Sequence, residues 1–242
     1  MNIHIISLFP EELKAYFLKG IFKKALNKDI FKINFIDLRD YALDKHSKVD
    51  DYPFSDKQGM LLKADVIYNA VTSIDNFEDY RLIYTCPKGP VLDQEMSRGY
   101  LSDKGLIIIA GYYEGIDERI FELLSIERLS IGNFVLSSGE LPALVLIETI
   151  VRQLPGVLGN PKSLADDSIV SGLLECPHYT QPRVLSGIKV PDVLLSGNHK
   201  AIKDWKRKES LKNTLFNKPE MLTKADLTKS DKTYLAEILN SK

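Results

Sequence analysis

Residues 105–154, GLIIIAGYYEGIDERIFELLSIERLSIGNFVLSSGELPALVLIETIVRQL, constrain this chain more than any other stretch. Leu106, Ile107, Ile108 and Ile109 run without interruption between Gly105 and Gly111. An unbroken aliphatic run bounded by glycines suits a central strand covered on both faces. Residues 112–117 then form a loop opening a short helix, in which Gly115 permits a sharp bend and Asp117 can cap a helix starting near Glu118. The theme repeats: residues 129–131 are strand-like, 132–139 are rich in turn formers, and 141–154 make an apolar helix. Two strand ends therefore deliver two glycine-bearing loops. In an open parallel sheet, ligands lie beyond the carboxyl ends of the strands, where such loops converge.

The flanking sequence extends this pattern. Residues 2–9 read as a strand, and Pro10, Glu11 and Glu12 start a helix in which Leu13, Phe17, Ile21 and Leu26 recur at roughly helical spacing. The intervening SLFPEE lacks the glycine fingerprint that a dinucleotide site places after its first strand, which argues against a Rossmann-type enzyme. Residues 31–38 are the next strand and 39–59 a long polar loop, of a length that usually serves function. Residues 61–74 read as a helix and 81–85 as a strand ending in TCPKG, a third turn of the same style, while 92–101 read as helical. Alternating strands and helices predict an α/β domain with a mostly parallel sheet. Pro155, Gly156, Gly159 and Pro161 break the pattern, so a domain boundary is expected over residues 159–172. The remainder, 173–242, is expected to be small and mainly helical, with a strongly basic helix over 199–216.

Composition narrows the function classes. A hydrophobic share of 44% and a charged share of 27% are those of an ordinary globular protein, and no apolar run approaches a membrane span. With no signal-type leader, the expectation is a cytoplasmic protein with neither a membrane nor DNA as partner. Cys86 and Cys176 have no metal-ligand spacing and read as partly buried thiols. The net charge of −1 divides unevenly: residues 187–242 hold 12 Lys or Arg against 7 Asp or Glu, leaving 1–186 at −6. A basic module beside an acidic body suits docking of a polyanion, and solvated helix faces are the alternative reading.

Several long motifs now carry a resemblance. GYYEGIDER, LSIGNFVLSSGELPALVLIE, LPGVLG, DDSIVSGLLECPHYT and VPDVLLSGNH are together similar to the bacterial tRNA (guanine-N1)-methyltransferases of the SPOUT superfamily, and the likeness runs from ISLFPE to SLKNTL. It implies a deep trefoil knot in an α/β domain at 1–158, a flexible linker at 159–172 and a tRNA-binding domain at 173–242. It also implies a homodimer, S-adenosylmethionine as methyl donor, a magnesium requirement, and tRNA methylated at N1 of guanosine 37, beside the anticodon.

Matched motif to motif, the donor would be held by Tyr84, Thr85, Cys86, Pro87 and Gly89, by Gly111, Tyr113 and Gly115, and by Ser130, Ile131, Gly132, Asn133, Phe134, Val135, Leu136, Ser138, Gly139 and Pro142. Tight glycine turns suit this task because their backbone groups can bond a nucleoside while small residues permit close approach. Guanine N1 carries a proton, so its methylation needs a base and a partner for charge developing on O6. The resemblance assigns Asp167 as base, Arg152 to the O6 side, and Glu114 to the donor's amino group or a metal ion; no protein metal ligand is assigned. His46, Asp50 and Ser168 match the substrate side, and Lys203, Arg207 and Lys208 of the basic helix suit phosphate contacts. Each has a blander reading: Arg152 as a helix-end cation, Asp167 as a linker acid or helix cap, His46 as a surface residue, Glu114 as a cap.

The chain also departs from the family pattern. Phe54, Ser55, Asp56 and Lys57 stand where a glycine-rich run is usual, Tyr112 stands for Arg, Ser138 for Gly, Phe134 for Tyr and Lys88 for Gln. A non-catalytic RNA- or nucleoside-binding homologue is the alternative these changes leave open.

Overall fold

The computed structural model describes residues 1–54, 59–158 and 172–240. They fall into two compact units, Met1–Gly159 and Asn160–Lys242. Asp167, Ser168 and nearly all of the expected linker lie outside the described residues.

The first unit is an α/β domain built on β1 (Asn2–Ser7), β2 (Lys32–Asp37), β5 (Arg81–Thr85), β6 (Gly105–Ala110) and β7 (Ile126–Leu129). These strands are parallel, in the order β2-β1-β6-β5-β7. β6 is the aliphatic run, central and buried at every residue. Period-two alternation divides it between two cores. Leu106 and Ile108 join Ile3, Ile5 and Ile83 against α1 (Pro10–Phe17), α2 (Gly20–Asn27) and α6 (Glu140–Val151). Ile107 and Ile109 join Ile6 and Leu82 against α3 (Ala64–Thr72) and α5 (Ile120–Leu123).

Boundaries differ from expectation for local physical reasons. The helix expected to run on from Pro10 breaks before Gly20, whose φ of +60° only glycine adopts at no cost. The strand expected at 129–131 is β7, three residues earlier. It is only four residues long and carries two adjacent charges, Arg128 and Glu127, whose side chain accepts from Arg81 Nε at 2.8 Å, and so short and charged an edge strand hides the strand signal. The helix expected from residue 61 starts only at Ala64, because Leu61–Leu62 is a short strand, β4, antiparallel to β3 (Asp50–Asp51). The helix expected over 92–101 starts two residues late, at α4 (Gln94–Gly99), because Asp93 caps it by accepting from Met96 N, and a 3-10 turn over Tyr100–Ser102 continues it.

The second unit is mainly helical. Its longest helix, His199–Asn217, is capped by Asn198, which accepts from Ala201 N at 3.2 Å. Leu211 packs with Leu173 and with Leu235 of the helix Lys229–Asn240. Among the described residues, no helix is long and apolar enough to cross a membrane.

Candidate active site

Three loops meet at the carboxyl ends of β5, β6 and β7, and Thr85 stitches them together. Its Oγ1 donates to the Gly139 carbonyl at 3.1 Å and accepts from Gly111 N at 3.4 Å. Gly139 N in turn donates to the Gly111 carbonyl at 2.6 Å. A Cβ on Gly139 would collide with Gly111 N and Thr85 Oγ1, so only glycine permits this crossing. α6 starts directly after it, and the buried Glu140 carboxylate accepts from Ser7 Oγ at 2.7 Å, anchoring the helix to the end of β1.

The middle loop is held from a remote part of the chain. Glu114 N donates to Met60 O, Leu62 N to Gly115 O and Asp117 N to Leu62 O, each at 3.0 Å. Residues 60–62 thus act as an extra strand beside the loop. Tyr113 adopts φ +55°, a left-handed conformation that costs a non-glycine residue about 1–2 kcal/mol. Its ring meets Tyr112 edge-on, with centroids 4.8 Å apart. Burial raises the Tyr113 phenol above its ordinary range, and Asp50 nearby adds to the effect.

The loops enclose a cavity of about 440 Å³. Leu61, Ile116, Leu129, Ile131, Phe134, Val135, Leu136 and Pro142 give it an apolar lining, into which Glu114, Glu118, Lys88 and Arg128 bring charge. Tyr84 is buried on its wall. Desolvation, with Cys86 and Glu118 adding, pushes its phenol well above the usual value, so it stays protonated. Tyr84 meets Phe121 edge-on at 5.9 Å, and the Arg128 guanidinium lies 3.6 Å over the Phe121 ring.

Of the expected donor-binding residues, all but two line this cavity. Gly89 instead packs against the end of β7, where a Cβ would strike the Arg128 carbonyl, and it opens on a neighbouring hollow. Asn133 is not among the lining residues. Arg152 caps the carboxyl end of α6, its N–H donating to Glu148 O at 3.1 Å. Thirteen residues at a rise of about 1.5 Å set it roughly 20 Å along the axis from Gly139. The structure therefore does not bring Arg152 to this cavity. Asp50 lies close to Tyr113, whereas His46 is exposed on a turn where its N–H donates to Asp44 Oδ1 at 2.8 Å.

In the second unit, Arg207 is already engaged. Its Nη2 donates to Asp231 Oδ2 and to the Asp226 carbonyl, both at 2.9 Å. The bond from Arg207, with Thr228 bonding the same carboxylate, holds the Asp231 carboxyl down at about 2. Lys203, Lys206 and Lys208 are exposed, with the Lys208 ammonium 5.1 Å over the Tyr234 ring.

Sequence reading missed Leu61, Ile116, Glu118, Phe121 and Arg128 as cavity residues. Arg128 left one usable signal, since in an edge strand that ends at the site it faces the same side as Ile126.

A parallel sheet whose carboxyl-end loops enclose a largely apolar cavity with a few convergent polar groups defines an α/β protein with the layout of a small-molecule site beyond its strand ends. Residues 1–224 match the family model described as tRNA (Guanine-1)-methyltransferase TrmD, and the chain belongs to that family. Proteins named tRNA (guanine-N(1)-)-methyltransferase are similar to it over nearly their whole length. One from Staphylococcus carnosus is 44% identical over 235 residues, 97% of this chain and 96% of the relative. One from Dictyoglomus turgidum is 44% identical over 238 residues, 98% and 96% of the two chains. One from Dehalococcoides mccartyi is 45% identical over 241 residues, 99% and 97% of the two chains.

Proposed function

We propose that this protein transfers a methyl group from S-adenosylmethionine to N1 of the guanosine at position 37 of tRNA. The observation that carries the reading is the family match over residues 1–224 together with the cavity that the three loops form.

The cavity fits the donor on its own terms. Its volume of about 440 Å³ falls within the range of small-molecule sites, and its lining combines apolar side chains with backbone groups at Gly111, Gly115, Gly132 and Gly139. Leu129, Ile131, Leu136 and Pro142 would pack the nucleoside, with Glu114 facing the donor's amino group. When bound, the donor supplies an electrophilic methyl carbon on a sulfonium sulfur. The chain's own residues must then deprotonate and position the acceptor. In the proposed step Asp167 takes the N1 proton as the N1–carbon bond forms and the carbon–sulfur bond breaks, its electron pair going to sulfur. Arg152 meets the charge that builds on O6.

A second copy of the chain belongs to this reading. With Arg152 roughly 20 Å down α6 from its own cavity, a homodimer is the arrangement that lets an arginine reach the acceptor. Exposed Leu141 and Val145 on α6, 60% and 42% accessible, support an apolar face for that contact. The trefoil knot is likewise proposed. Its support is the path of the chain, which leaves edge strand β7, returns past Thr85 to Gly111, and packs α6 against α4 of the β5–β6 connection. Docking of tRNA is assigned to Lys203 and Lys208 of the basic helix, in a cytoplasmic protein. Among the described residues no group of three or more His, Cys, Asp or Glu is placed to hold a metal ion. A magnesium requirement stands as part of the proposal, with no step routed through the ion.

Methyl transfer from labelled S-adenosylmethionine to two tRNA transcripts, one with guanosine and one with adenosine at position 37, tests the reading. Label on N1 of guanosine 37 alone is expected. Binding of donor and tRNA without transfer would overturn it in favour of a non-catalytic homologue.

A further inference from the structure

One wall of the cavity holds a charged cluster to which the proposed reaction gives no task. Arg128 Nη2 donates to Glu118 Oε2, and Lys88 Nζ donates to Glu118 Oε1 at 3.3 Å, so two cations share one carboxylate. All three residues line the cavity. They are not equally fixed. The Arg128 side chain is 32% exposed and stacked on Phe121, itself edge-on to buried Tyr84, whereas Lys88 is 73% and Glu118 62% exposed.

The stacking holds the guanidinium fork in position whether or not Glu118 is bonded to it. Exposed ion pairs contribute little, so another carboxylate can replace Glu118 at small cost. A guanidinium fork is the side chain best matched to a carboxylate, and its face remains on the ring while its edge changes partner. Glu114 brings an acid to the same cavity. A fixed cation and an acid lining one small cavity complement a zwitterion.

We infer that Arg128, assisted by Lys88, is the carboxylate subsite for a ligand that carries an α-amino acid end, and that Glu118 is an internal carboxylate competing for the same cations. This rests on the cavity being the methyl-donor site. The ligand class is a nucleoside bearing an amino-acid tail, and Arg128 distinguishes it from nucleosides without the carboxylate.

Calorimetric titration of the full-length protein with S-adenosylhomocysteine and with its decarboxylated analogue tests the inference. The wild type is expected to bind both and to prefer the carboxylate form. Arg128→Gln is expected to weaken S-adenosylhomocysteine by about ten- to a hundredfold, the range for a hydrogen bond to a charged group. It leaves the decarboxylated analogue unchanged, which also shows that the variant is folded. Glu118→Gln has the opposite sign and tightens S-adenosylhomocysteine several-fold. Equal loss of both ligands in Arg128→Gln, no loss in either, or weaker binding in Glu118→Gln overturns the subsite while the donor site stands. A wild type that binds neither ligand overturns the donor site and the subsite with it.

Discussion

Gly139 lies directly on Gly111, its N–H bonded to the Gly111 carbonyl at 2.6 Å, with no room for a side chain between them. This contact joins the end of the central strand to the start of α6 and forms part of the cavity lining. Gly139→Ala must separate the two loops, and overpacking of this kind costs about 1–3 kcal/mol. A lowered melting temperature and loss of S-adenosylhomocysteine binding in a thermal-shift titration are expected. A variant that melts and binds like the wild type would show that the crossing can relax.

Thr85→Val keeps the shape of the side chain but removes the hydroxyl that donates to Gly139 O and accepts from Gly111 N. The loss is about 1 kcal/mol of stability and up to tenfold in donor affinity, since buried Gly111 N loses its bond to the hydroxyl and Gly139 O keeps only the one from Ala143 N. Calorimetry with S-adenosylhomocysteine measures the second effect directly.

Asp167→Ala is expected to keep donor affinity and to lose turnover by about 10²- to 10⁴-fold, the usual contribution of a positioned base. Single-turnover methylation separates chemistry from binding. A parallel fall in donor affinity would count against its role as base.

The basic helix predicts two kinds of lysine and arginine variant. Lys203→Gln and Lys206→Gln remove exposed charges, so each is expected to weaken tRNA binding and to reduce the salt slope of log K by about 1. Arg207→Gln is expected instead to destabilise the second unit, because it leaves the buried Asp231 carboxylate without its ion pair. Filter binding over a salt series distinguishes the two effects.

Acid should destabilise the second unit by the same route. Asp231 is held at about 2 in the folded state, below its ordinary 3.8, chiefly by Arg207. A depressed carboxyl stabilises the fold above the unfolded value, so this contribution is intact above about pH 4 and is lost as pH falls toward 2. Its size is on the order of 2 kcal/mol. Fluorescence of Trp205, the single tryptophan, follows the transition, and Asp231→Asn is expected to flatten the pH dependence over that window.

The sequence by itself determined the local elements and the chemistry available to them. A short aliphatic run bounded by glycines suits a strand buried on both faces, and Gly111, Gly115 and Gly139 mark turns that other residues resist. The long motifs carried the family, and with it most of the cavity residues. Local pattern failed where a residue's neighbours in the chain say nothing about its neighbours in space. Thr85 meets Gly139 across 54 residues because β7 pairs outside β5, an order that no periodicity encodes. Leu61 reaches the cavity because residues 60–62 pair with the middle loop, and their apolar character reads equally as the start of a helix. Arg128 lies on an edge strand whose charges obscure the strand itself. Arg207 and Lys203 look alike in sequence, yet one closes on Asp231 and the other faces water. Tertiary structure alone decided which charges are already satisfied, because that depends on contacts between distant elements.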